Sequence, residues 1–208
     1  MKVGDIKIDA LRLMFAEIDN GMTAENVGSY DGDAEVGDYL RSMPGSIRRS
    51  LLDLESRRIL PERSAPLKLA EAERVKSFYR FDLSTIKDFY DVSRVTMYGE
   101  SSYEGDYPYR IEGNTLILIS PDENATFNLL YYPRVKIPSA LGNGEVLEIP
   151  DEIAALIPYF IKGELYRQDE INDAAEAMSW YEQRLALLAP KRTEKQSHVS
   201  SVYSQVML

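Results

Sequence analysis

The stretch Tyr109-Arg110-Ile111-Glu112-Gly113-Asn114-Thr115-Leu116-Ile117-Leu118-Ile119 decides the fold class. Two extended runs flank Gly113-Asn114. A two-residue link between antiparallel strands needs positive φ, which glycine and asparagine accept, so the stretch predicts a β-hairpin. Neighbouring runs read the same way. Leu67-Lys68-Leu69 is short and extended, and Ser77 to Leu83 alternates aromatic and polar residues. Val92 to Tyr98 sets Val92, Arg94, Thr96 and Tyr98 on one face and Val95 and Met97 on the other, while Phe127 to Tyr132 is a further strand stopped by Pro133. About five strands joined by short turns predict an antiparallel sheet, sandwich or small barrel.

Helical periodicity takes over on either side. Ile8, Leu11, Phe15 and Ile18 fall at helical spacing, with a stop at Asn20-Gly21. A Gly-, Asp- and Ser-rich loop from Gly21 to Pro44 follows, and a second helix from Ser46 to Leu60 buries Ile47, Leu51 and Leu54. After the strands, Pro150-Asp151-Glu152 signals a helix start, because acids in a first turn suit the helix dipole. Ile153, Leu156, Ile157, Phe160, Ile161 and Leu165 form its stripe, with a kink or restart at Pro158. Beyond a break near 168–172, Ala174, Ala177, Met178, Tyr181, Leu185 and Leu188 give one continuous face. The two helical ends each carry an apolar stripe that needs a partner. The expected fold is therefore α+β: a helical bundle from the N- and C-terminal helices with an inserted antiparallel β domain, sandwich or small barrel. The boundaries are 1–64 and 150–190 for the bundle, 65–149 for the β domain and 191–208 for an extended C-terminal arm.

Composition narrows the chemistry. The 208 residues contain no cysteine, and His198 is the only histidine. Disulfide scaffolds, thiolate zinc sites, multi-histidine metal sites and a core Ser-His-Asp triad are excluded. The net charge of −10 and pI of about 4.7 disfavour general nucleic-acid binding. No apolar run reaches the roughly 18 residues of a membrane span, and the acids within Met1 to Asp19 do not suit a signal peptide. A soluble intracellular chain is expected. There is no Walker A loop and no GxGxxG, and Gly142-Asn143-Gly144 reads as a turn. Asp31-Gly32-Asp33-Ala34-Glu35 opens like a calcium loop, but Val36 and Ser42 stand where that loop needs glycine and glutamate. No catalytic residue, metal site or cofactor is expected.

The run Tyr109 to Pro121, then Asn128-Leu129-Leu130-Tyr131-Tyr132-Pro133-Arg134, then Leu147-Glu148-Ile149-Pro150 ahead of two amphipathic helices, resembles tailed-phage head-to-tail adaptors, also called head completion, connector or tail tubular proteins. The resemblance implies a non-enzymatic virion protein of the neck, assembled in the host cytoplasm. It implies a ring of about twelve copies closed by head-to-tail contacts. Its partners would be further copies of itself, the portal protein and the next tail or neck component, with DNA passing through the channel without specific binding. It also implies a portal-binding role for the arm, whose apolar residues are Val199, Val202, Tyr203, Val206, Met207 and Leu208.

Charge segregation fits such a ring. Residues 1–40 hold three bases against nine acids, and residues 41–63 hold six arginines against three acids. One copy's Asp31, Asp33 and Glu35 would meet the next copy's Arg41, Arg48, Arg49, Arg57 and Arg58, since a planar guanidinium binds carboxylates bidentately. The plainer alternative is a solvated helix face with local pairs. Tyr98, Tyr103, Tyr107 and Tyr109 crowd a Gly- and Pro-rich segment. They suit a tail-facing loop, a carbohydrate- or peptide-binding surface in a different kind of module, or ordinary sheet packing.

Overall fold

The computed structural model describes residues 1–15, 18, 21–98, 104–167 and 169–188. Helix α1, Val3–Met14, buries Val3, Ile6, Ala10, Leu11 and Met14 along one side. It begins ahead of the expected stripe and ends sooner, because Phe15 is already extended at φ −120°, ψ 135°. The cause is local. The Phe15 ring sits edge-on to Tyr39 and Tyr166 at 5.4 and 6.4 Å, and the Tyr166 hydroxyl donates to the Met14 carbonyl. An aromatic cluster and a capped carbonyl take the place of another helical turn. Of the expected stop at Asn20-Gly21, Asn20 lies outside the described residues.

The segment from Gly21, expected as a loop as far as Pro44, is irregular up to Val36 and is packed onto the helices. Met22, Ala24, Val27 and Val36 are buried in the helical core, and a one-turn 3₁₀ helix spans Val27–Tyr30. Thr23 and Asn26 exchange hydrogen bonds between backbone N–H and side-chain oxygen, at 2.6 and 3.4 Å. Helix α2, Gly37–Ser56, starts well before Ser46 and runs through Pro44. An interior proline costs about 3 kcal/mol. Continuing the helix brings Leu40 and Met43 into line with Ile47, Leu51 and Leu54, all nearly or fully buried. Burying each large apolar side chain contributes about 1.5–3 kcal/mol, so two of them offset the proline. At the far end Arg58 takes φ +58°, its N–H bonds the Glu55 carbonyl, and Ile59 N–H bonds the Leu54 carbonyl. This is a Schellman closure with arginine where glycine is usual. It stops the helix at Ser56 rather than Leu60.

Among the described residues eight strands follow: β1 (Arg63–Leu67), β2 (Glu73–Val75), β3 (Phe78–Asp82), β4 (Phe89–Tyr98), β5 (Glu104–Tyr107), β6 (Tyr109–Glu112), β7 (Thr115–Ile119) and β8 (Thr126–Pro133). They form two open antiparallel sheets, ordered β1-β8-β4-β5 and β2-β3-β7-β6, so the barrel alternative is excluded. The hairpin forms as expected. Glu112 opposes Thr115, and Gly113 carries φ +58° at the first turn position, the pattern of a II′ turn. Along β8, Phe127, Leu129 and Tyr131 are buried at every second position. With Leu67 and Val95 they meet Tyr79, Leu116 and Leu118 of the other sheet in one apolar core. Val92 departs from the expected face. A register shift between Val92 and Arg94 pairs Val92 with Tyr131, which turns it toward the core with Val95 and Met97. The edge strand β1 carries Pro66 opposite Asn128.

The chain then returns to the helices. Val135, Leu141, Leu147 and Ile149, placed with the β domain by the sequence pattern, pack in the helical core. Backbone bonds join this stretch to the N-terminus: Val3 N–H to Glu145, Gly4 N–H to Asn143 and Leu147 N–H to Met1, at 2.8–3.1 Å. Helices α3 (Asp151–Ala154), α4 (Ile157–Leu165) and α5 (Ile171–Leu188) complete the fold. Pro158 stands at the start of α4, where a missing N–H costs nothing. Helix α4 contacts α1, α2 and α5, and one core draws residues from both ends of the chain. Where α4 meets α5, a Cβ on Gly163 would lie 3.0 Å from Met178 Sδ, so the helices approach over small residues, Gly163, Ala174 and Ala177. Among the described residues no helix is long and apolar enough to cross a membrane.

The docking of the 21–36 segment is testable at Gly4. A Cβ there would sit 2.5 Å from the Ala24 carbonyl oxygen and 2.9 Å from its Cα. Gly4→Ala is expected to lose about 1–3 kcal/mol in urea unfolding through backbone displacement, although alanine favours an exposed helix by about 1 kcal/mol. Gly32→Ala, with nothing within 4 Å of the new Cβ, is expected to leave the midpoint nearly unchanged.

Candidate functional site

The arginine-rich face of α2 is the first candidate. Its sequence places Arg41, Arg48, Arg49 and Arg57 on the solvent side of a helix whose other side is buried. Arg41 donates to the Asp31 carbonyl and to the Asp38 carboxylate. Arg49 grips Glu164 of α4 through Nε and Nη2 at 2.5 and 2.9 Å. Arg57 holds Glu182 of α5 with both terminal nitrogens at 2.6 and 2.7 Å, and its Nε reaches Asp53 at 2.9 Å. These forks on carboxylates hold the Arg49 and Arg57 guanidiniums still more firmly protonated, chiefly through Glu164 and Glu182 respectively. Arg58 pairs with Asp91 of β4 and lies over the Tyr132 ring at 5.9 Å. Arg48 is exposed and makes no ion pair among the described residues.

The acidic candidates lie on the turn leading into α2, beside Arg41. Asp31 offers its backbone carbonyl there. Asp33 accepts the N–H groups of Glu35 and Val36 at 2.8 and 3.1 Å, and these bonds hold its carboxyl below the usual range. Glu35 is exposed. Four of the five arginines are thus paired with carboxylates of their own chain, but only Arg41, with Asp38, meets an acid of the segment 1–40. The signal for this was the spacing of Asp38 to Arg41 and Asp53 to Arg57, three and four residues apart. Glu164 and Glu182, far off in sequence, gave no such signal.

The tyrosines divide. Tyr107 of β5 donates to the Ile119 carbonyl of the opposite sheet at 2.8 Å and packs edge-on against Phe127 at 5.0 Å. Tyr109 of β6 donates to the Ser93 carbonyl of the first sheet at 3.4 Å, and burial pushes its phenol up. Both tie one sheet to the other. Tyr98 is exposed where β4 ends. Tyr103, like Val199, Val202, Tyr203, Val206, Met207 and Leu208, lies outside the described residues. Sequence reasoning missed Val75, Phe78 and Ile119, which form an exposed apolar row across β2, β3 and β7. The row lies at the Tyr98 end of the sandwich, away from the connections to the helices at Arg63 and Pro133.

Trp180 forms another exposed feature. Tyr159 stacks on it at 5.4 Å and 9°, and Arg184 lies over the ring at 4.5 Å. Beside it a groove of about 310 Å³ runs between α4, α5 and Leu13, with Lys162 and Asp173 paired at 3.2 Å in its wall. A wider groove of about 770 Å³ lies between α1 and residues 22–25, edged by Asp5, Asp9, Glu25 and Asp151. The described residues contain no cluster of three potential metal ligands. What the geometry offers is contact surface: Arg48 on α2, the apolar end of the sandwich and the Trp180 patch.

Two measurements check this wiring. Tyr181 is fully buried and donates to Asp53 at 2.8 Å. Tyr181→Phe is expected to cost about 1–2 kcal/mol in chemical unfolding, because Asp53 loses a donor inside the α2–α5 contact. Burial raises the phenols of Tyr107, Tyr109, Tyr131, Tyr166 and Tyr181 above their ordinary value near 10. Their stabilising contribution is complete below pH ~10 and is lost as pH rises through the folded-state values, because the unfolded chain ionises first. Thermal melts are expected to be flat from this source at neutral pH and to fall above pH ~10.

No protein-family model matches the chain, and no curated protein matches it in sequence.

Proposed function

We propose that this chain is a structural adaptor of a tailed-phage neck, one copy of a ring that closes head to tail beneath the portal and offers a surface to the next tail component. The observation that carries the reading is the division of labour in the fold. Residues from both ends of the chain share one core, and residues 63–133 hold a second core of their own. In this reading the helices at the two ends act as one bundle that docks on the head side. The sandwich is then an outgrowth whose far end, with Tyr98, Val75, Phe78 and Ile119 exposed, faces the tail. A net charge of −10 suits a channel wall along which DNA slides without being gripped. The alternative, a carbohydrate- or peptide-binding module built on the tyrosines, draws less support. The hydroxyls of Tyr107 and Tyr109 are already engaged between the sheets.

Negative-stain imaging of the protein, alone and mixed with its cognate portal protein, tests the reading. Rings in either sample support it, and dispersed monomers in both overturn it. Arg48 is the informative charge for the contact between copies, since Arg41, Arg49, Arg57 and Arg58 are held within the chain. Arg48→Glu is expected to weaken ring formation while leaving the melting temperature unchanged, because an exposed charge without a partner contributes little to folding. Removal of residues 196–208 is expected to leave a folded protein that no longer co-sediments with portals.

A further inference from the structure

The helical body and the sandwich meet almost without a shared interior. Their apolar cores have no residue in common, helices pack on helices, and strands pack on strands. The chain passes between them twice, through short crossings. Leu60 is still buried in the helical core and Arg63 already begins β1; Pro133 ends β8 and Val135 is back among the helices. What spans the junction is polar. Arg58 pairs with Asp91 and lies over Tyr132, and the Ser93 hydroxyl donates to Glu62 on the first crossing. A cleft of about 220 Å³ opens beside these contacts, between Ile59, Leu60, Tyr132 and Ile153.

We infer that the sandwich pivots as a unit on the helical body about residues 61–62 and about the link from Arg134, which is bonded to Asp88 and Phe89 of the sandwich, to Val135 in the helical core, and that the contacts of Arg58 latch it in one orientation. Two packed bodies joined by a pair of short crossings are the geometry of a hinge, with the bending confined to the few connecting residues. A buried apolar interface would hold the angle irrespective of salt. Partly exposed ion pairs hold it weakly, and mobile ions screen them. Arg58 is well placed to act as the latch. Its backbone closes α2, so its side chain leaves the end of that helix and reaches directly onto β4. A change of angle would also open or close the cleft, since its walls belong to both bodies.

The chain has no cysteine, so spin labels can be placed at Asn114→Cys on the β6–β7 turn and Gln183→Cys on α5, both exposed. Double electron–electron resonance on the full chain in low salt is expected to give one narrow distance distribution. Arg58→Gly in that background keeps the positive-φ closure, which glycine accepts readily, and removes the latch. Asp91→Asn removes the opposing charge. Each is expected to broaden the distribution or add a second distance, and about 1 M salt, where the Debye length falls to about 3 Å, is expected to do the same without any latch mutation. Widths unchanged in both variants and in high salt overturn the inference. Should a variant fail to fold, as judged by circular dichroism, the salt series on the labelled chain decides alone.

Discussion

The burial of one short helix governs this fold. Helix α4 has nine residues, too few to persist alone in water, and its Ile157, Phe160 and Ile161 are nearly or fully buried. It exists because α1, α2 and α5 cover it. Those three come from opposite ends of the chain, so covering α4 brings the ends together. The close approach at Gly163 fixes α5, and the Arg49–Glu164 fork fixes α2. Everything between α2 and the return at Val135 must leave from and come back to nearly the same place. An antiparallel sandwich, entered on β1 and left on its neighbour β8, satisfies that requirement.

Local chemistry was legible in the sequence where it is strong. Gly113-Asn114 forms its turn because few other pairs tolerate the backbone, and β8 alternates because one side faces a core and the other does not. The restart at Pro158 follows from a missing N–H. What escaped depended on distant partners. Pro44 argues for a loop until the burial of Leu40 and Met43 is set against its cost. Strand β2 is three residues long, and β5 opens beside the Gly- and Tyr-rich segment, so neither offers a long enough alternation to be seen. Phe15 leaves the helix for Tyr39 and Tyr166, rings that lie far off in the chain.

The candidate site illustrates the same division. An arginine-rich segment next to an acidic one is visible in the sequence, but not the carboxylates that Arg49 and Arg57 select. Both chosen acids lie in the last quarter of the chain, and both pairs clamp α2 to helices from that end. The sequence pattern therefore identified the charged face and its residues, while the geometry assigned most of them to holding the molecule together. In an acidic protein this is economical. Each internal fork neutralises a carboxylate that would otherwise add to self-repulsion.

The edges of the two sheets carry a consequence for behaviour in concentrated solution. Pro66 interrupts the donor row of β1, β2 is too short to template another strand, and β6 presents Arg110 and Glu112. An open sheet normally invites strangers to extend its ladder into fibrils. Here three of the four borders discourage that addition, so crowded copies are steered away from runaway amyloid-like growth.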